Sequence, residues 1–106
     1  MQDKVIINDY IENDPLSEEN LDKTLETVNR FRLSFPNKTI WLYSGYNYQK
    51  IMKQLLNLAT QENYNMYKRQ QIISQCDVMV DGRYIDSQRD ISLKWCGSKN
   101  QRVIDI

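Results

Sequence analysis

Three short apolar runs constrain this chain most: Val5-Ile6-Ile7, Thr39-Ile40-Trp41-Leu42-Tyr43 and Val78-Met79-Val80. Runs rich in β-branched and aromatic residues read as buried strands, and the first is expected to continue through Tyr10-Ile11. A helix-forming segment lies in each gap. After the polar loop Glu12-Asn13-Asp14-Pro15-Leu16, Ser17 is placed to cap a helix with Glu18 and Glu19 in its first turn. Leu21, Leu25, Val28, Phe31 and Phe35 then follow at helical spacing, and Pro36-Asn37 ends the pattern.

In the second gap, Ser44-Gly45-Tyr46 forms the turn that leaves the strand. Ile51, Leu55 and Leu58, with Met52, Leu56 and Ala59 beside them, predict a second amphipathic helix. A polar stretch over residues 60–69 separates it from a short helical piece around residues 70–74. Asp81-Gly82 stops the third strand, residues 84–99 are polar and turn-rich, and residues 102–106 suit a last strand. Strand, helix, strand, helix, strand is the order of parallel βαβ units with right-handed crossovers. The expected fold class is therefore α/β: one domain over residues 1–106, with a mostly parallel sheet of 3–4 strands and 2–3 helices.

Length and composition bound the function. At 106 residues, 41% hydrophobic and 26% charged, the chain suits one small compact domain. It has no apolar run of membrane-spanning length and no secretory signal, so a soluble cytoplasmic protein is expected. Fourteen basic and fourteen acidic residues cancel, but residues 1–30 hold eight acids against three bases, a net −5 that leaves +5 for the rest. Such polarity steers charged partners or favours head-to-tail association, and solvated helix faces of differing sign give the same count. Direct nucleic-acid binding is not indicated.

The only cysteines are Cys76 and Cys96, and there is no histidine. A structural zinc site needs four nitrogen or sulfur ligands and an iron–sulfur cluster three or four thiolates, so neither can be built within one copy. The most common general base near neutral pH is missing too. Catalytic residues, metal ligands and cofactors are expected to be none, and two reduced thiols are the reading for the cysteines.

Several segments nevertheless resemble one family in order and spacing. DPLSEENLDKTLETVNRFRLSFPNKTIWLYSGY (residues 14–46) is similar to the middle of the anaerobic ribonucleoside-triphosphate reductase activating proteins. CDVMVDGRY (residues 76–84) and SLKWCGSKNQRVIDI (residues 92–106) are similar to their closing segments. The resemblance implies a partial βα-repeat sheet of the radical S-adenosylmethionine superfamily. Members bind an iron–sulfur cluster through three cysteines near the N-terminus, cleave S-adenosylmethionine and install a glycyl radical on a partner reductase.

No residue here matches that cysteine motif. The family also carries Gly-Gly-Asp/Glu-Pro after the first strand, where glycines let the backbone approach S-adenosylmethionine; Glu12 and Asn13 replace them, while Asp14 and Pro15 align. Cys96 stands where an arginine is usual. Residual family-like positions are Asp14, Pro15, Ser44, Gly45, Tyr46, Asp81 and Gly82.

The resulting expectation is a catalytically inactive domain that binds another macromolecule. A phage or mobile-element inhibitor, for example an anti-CRISPR, is one form of that reading. The alternative is a truncated or divergent component of the reductase-activating system that still docks on the reductase. A small-molecule binder using Ser44 to Tyr46 and Asp81 to Arg83 is a third. Candidate partner contacts are Glu12, Asp14, Glu18, Glu19, Tyr46 and Tyr48, with a protein partner expected. The unpaired edge of the N-terminal strand offers a homodimer contact.

Overall fold

The computed structural model describes residues 3–57 and 59–106. Its strands are β1 (Lys4–Ile6), β2 (Thr39–Ser44), β3 (Val78–Asp81) and β4 (Arg102–Asp105), in the spatial order β1-β2-β3-β4. β1 and β3 run parallel to β2 between them, and β4 closes the sheet antiparallel to β3. Helices α1 (Leu21–Ser34), α2 (Tyr48–Met52) and α3 (Gln61–Ser74) complete the fold. The class is α/β and the sheet mostly parallel, as the strand spacing predicts. Among the described residues no helix is long and apolar enough to cross a membrane.

Alternation along β2 fixes the two faces of the sheet. Ile40, Leu42 and Ser44 are buried, and Trp41 and Tyr43 share the other side as their parity predicts. Val5, Ile40, Leu42 and Met79 meet Leu21 and Val28 of α1, Ile51 of α2 and Ile72 and Ile73 of α3 in one core. Each such side chain contributes about 1.5–3 kcal/mol on burial. The opposite face is partly roofed by the segment before β4. There Trp95, at φ 71°, brings its ring to 5.2 Å from that of Trp41. Lys4 Nζ sits 4.2 Å from the Trp41 ring and 3.9 Å from the Trp95 ring.

The first strand is shorter than its apolar run. It ends at Ile6, and residues 7–9 form a 3-10 turn, although Ile7 and Ile11 remain buried. A side chain explains the break. The Asn8 amide accepts from Tyr43 N–H at 2.9 Å and donates to Tyr43 C=O at 2.9 Å, taking the place of the next strand residue beside β2. Ser17 does not cap the helix either. Its hydroxyl donates to Asp14 C=O at 2.8 Å, a 3-10 turn follows over Glu18–Asn20, and α1 starts at Leu21. Phe35 lies past the helix end and is exposed.

The second gap departs further. The expected amphipathic helix through Leu55 is only the five residues of α2, and Leu55 is 98% exposed; Leu58 lies outside the described residues. Gln70 ends α2 by donating its amide to the carbonyls of Ile51 and Gln54. The polar stretch is itself helical: Thr60 caps α3 by accepting from Asn63 N–H. Its inward face is partly polar, with Asn65 and Arg69 buried beside Ile72 and Ile73.

A cleft at the ends of the parallel strands

The parallel strands point their C-terminal ends at one cleft of about 430 Å³, lined by Asn13, Asp14, Tyr43, Ser44, Gly45, Gly82, Arg83, Tyr84 and Gln101. Ligands of open α/β sheets bind outside these strand ends. The cleft has two walls, and each is held by a different kind of side chain.

Asp14 builds the front wall. Its Oδ1 accepts from Leu16 N–H at 2.9 Å and from the Ser44 hydroxyl at 2.8 Å, while Oδ2 accepts from Gly45 N–H at 2.8 Å. One carboxylate thus ties the loop after β1 to the end of β2. A Cβ on Gly45 would stand 3.4 Å from Asp14 Oδ2, in van der Waals contact with the carboxylate. Asn20 donates to the carbonyls of Glu12 and Asp14. From below, buried Arg69 donates through Nε to Leu16 C=O at 2.8 Å and lies over the Tyr46 ring.

Asn13 has a φ of 63°. Asparagine tolerates this left-handed conformation better than most side chains. The backbone course that a glycine would favour therefore persists at the second of the two replaced positions, and an amide side chain is added at the cleft.

Amides build the rear wall. Gln101 Oε1 accepts from Gly97 N–H at 2.8 Å and Ser98 N–H at 3.1 Å, and its Nε2 donates to Gly82 C=O at 3.0 Å. Asn100 donates to Arg83 C=O at 2.7 Å. The Ser98 hydroxyl donates to Asn100 and accepts from Ile85 N–H. The GSKNQR string is thus a knot that fixes the Gly82-Arg83 turn. Gly82 sits at φ 104°, with Asn100 C=O 3.3 Å from where a Cβ would lie, so the turn requires glycine. Arg83 is exposed at the cleft, and its guanidinium has no ion pair among the described residues.

The residues singled out from the sequence divide accordingly. Asp14, Ser44, Gly45 and Gly82 meet at the cleft. Pro15 is buried behind it. Asp81 is buried and committed: Arg102 donates to both its oxygens, at 2.9 and 2.5 Å, and Tyr48 N–H donates to Oδ2. Glu12, Glu18 and Glu19 are exposed. Tyr46 and Tyr48 pack partly buried against the core. Gln101 is not among the residues singled out from the sequence, and its one visible signal is its place in a polar string beside a strand; Asn13 is marked there only as standing in for a family glycine.

Among the described residues the donors for a metal cluster do not assemble. Cys76 lies in the core, its thiol donates to Ile72 C=O, and burial pushes its pKa up to about 12. Cys96 is partly buried, which raises its thiol as well. Among the described residues no three His, Cys, Asp or Glu side chains are grouped to hold a metal ion.

Comparison with known proteins gives a consistent assignment. The family described as "4Fe-4S single cluster domain" matches residues 13–104. Anaerobic ribonucleoside-triphosphate reductase-activating proteins of Vibrio cholerae and Escherichia coli K12 are each 34% identical over 90 residues, covering 85% of this chain and 49% of theirs. The protein of that name from Enterobacteria phage T4 is 29% identical over 92 residues and covered to 47%. The chain thus spans about half the length of the curated relatives it matches. No solved structure matches it. A family match over most of the chain shows that this protein belongs to the 4Fe-4S single cluster domain family, and the chain is related to the anaerobic ribonucleoside-triphosphate reductase-activating proteins.

Proposed function

We propose that this chain is a divergent component of an anaerobic ribonucleotide reductase activating system and works by docking on the reductase. The observation that carries the reading is the cleft. Asp14, Ser44, Gly45 and Gly82 resemble family positions, and all four converge on it within a dense hydrogen-bonded frame. The relatives are named for activating a reductase, which supports a protein partner. In this reading the chain's own residues hold no cluster, since its two thiols are separate and Cys76 is sealed in the core.

The relatives favour the alternative drawn from the sequence, a component of the activating system, over a stand-alone macromolecule-binding module. The exposed acids Glu12, Glu18 and Glu19 remain the proposed contacts on the acidic side. Tyr46 and Tyr48 are weaker candidates because both pack against the core. Nothing in the relatives or the cleft favours an inhibitor or an anti-CRISPR. The test is affinity capture with the cognate anaerobic reductase. Stoichiometric binding that weakens on reversing Glu12, Glu18 and Glu19 to lysine is expected; no capture under anaerobic conditions would overturn the proposal.

Arg83 favours a second reading, in which the cleft keeps a small-molecule site. An exposed guanidinium beside strand ends suits a carboxylate or phosphate group. Calorimetry with S-adenosylmethionine should then give heat that is lost in Arg83→Ala. Absence of heat at millimolar ligand removes this reading and leaves the docking proposal standing.

A further inference from the structure

The face of the sheet turned away from the helices is apolar along its middle. Parity and register put Lys4, Trp41, Tyr43, Val78 and Val80 on this side. Val78 and Val80 are buried, yet neither belongs to the core cluster under the helices. The chain between β3 and β4 roofs this side, with the Trp95 ring 5.2 Å from that of Trp41.

That excursion doubles back on itself. Arg89 and Ser98 form an antiparallel bridge, Lys99 N–H donates to Gln88 C=O, and Asp90 N–H donates to Gly97 C=O. Residues 91–95 are the tip. Ser92 and Leu93 donate their N–H groups back to Asp90, and among the described residues no hydrogen bond ties the tip to the sheet. Trp95 makes the contact instead. Lys4 Nζ lies 3.9 Å from the Trp95 ring and 4.2 Å from the Trp41 ring, so one cation is shared by both. Among the described residues Lys4 has no ion pair, which leaves the two rings as its partners. Trp95 reaches them at φ 71°, a left-handed conformation that bulky side chains avoid. The backbone at the tip therefore works against the seating of its own ring.

We propose that residues 91–97 are a strap over the outer face of the sheet and that Lys4 is its latch. Latched, the strap covers Trp41 and the apolar strip beside it. Released, Trp95 leaves Lys4 and Trp41, its backbone relaxes out of the left-handed region, and the strip is bared.

The strap pivots on a fixed root. A Cβ on Gly97 would meet the Tyr84 ring at 3.0 Å, and Gly97 N–H is held by Gln101 Oε1. The same Gln101 side chain donates to Gly82 C=O at the cleft. The strap and the rear wall of the cleft thus share one amide, and release of the strap draws on that wall. The device is a property of the chain itself and does not depend on which partner the chain docks on.

Digestion of the full chain with a lysine-specific protease, read by mass spectrometry at the bond after Lys94, tests the latch. Lys4→Met keeps the aliphatic stem and removes the charge. Cleavage there should become about tenfold faster, because cutting follows the population of the released strap. Lys4→Arg supplies another cation that stacks on tryptophan and should bring the rate back to that of the parent chain. In the parent, ring currents from both tryptophans should shift the Lys4 ε-methylene protons upfield, and Trp95→Leu should reduce that shift. Unshifted ε-methylene protons overturn the proposal. So does a Lys4→Met chain cut no faster than the parent, or a Lys4→Arg chain cut as fast as Lys4→Met.

Discussion

The two walls of the cleft are built to the same end by unlike means. The front is held by one carboxylate: Asp14 accepts three hydrogen bonds from two separate segments. The rear is held by neutral amides: Gln101 and Asn100 pin the Gly82-Arg83 turn through two bonds, and Gln101 closes its own loop by accepting two more, from Gly97 and Ser98. Hydrogen bonds to an ionised acceptor are roughly twice as strong as neutral ones. The front wall therefore concentrates its strength in one residue, and the rear wall spreads it over a local knot. Loss of a single side chain should open the front and only loosen the rear.

Asp14→Ala is the change that should separate the walls most. It strands Leu16 N–H, Gly45 N–H and the Ser44 hydroxyl, and a loss of about 3 kcal/mol is expected. In a domain of this size that lowers the melting temperature by roughly 15 °C, measurable by circular dichroism. Gln101→Ala frees three neutral groups, the Gly97 and Ser98 N–H and the Gly82 C=O, and about 1.5 kcal/mol is expected. Equal losses from the two substitutions would break the contrast.

What the sequence revealed of this fold follows the range of the forces involved. β2 and β3 were legible because Ile40, Leu42, Met79 and Val80 are buried by their own local pattern. α3 was hidden because Asn65 and Arg69 occupy inward positions where a periodicity search expects apolar residues. Arg69 is buried for a bond to Leu16 C=O, 53 residues away in sequence. β1 looked longer than it is because nothing local distinguishes Asn8, whose amide acts 35 residues away on Tyr43. The cleft divides likewise. Gly45 and Gly82 announce turns, and Asp14 is marked by resemblance, but Gln101 takes its role from Gly82, 19 residues away.

Asn13 carries the smallest expected effect and the sharpest question about the front wall. Its φ of 63° means that the left-handed backbone does not depend on a glycine there. Asn13→Gly relieves mild strain in the folded state and adds freedom to the unfolded one, so the two terms oppose. A change within about 0.5 kcal/mol is expected by chemical denaturation. Asn13→Val forces a β-branched residue into the same conformation and should cost about 1–2 kcal/mol. If valine is tolerated as well as glycine, the loop does not hold this conformation in solution, and the front wall owes its shape to Asp14 alone. If the two diverge as expected, the backbone there is fixed, and what distinguishes this cleft from one lined by glycine is the Asn13 amide rather than the path of the chain.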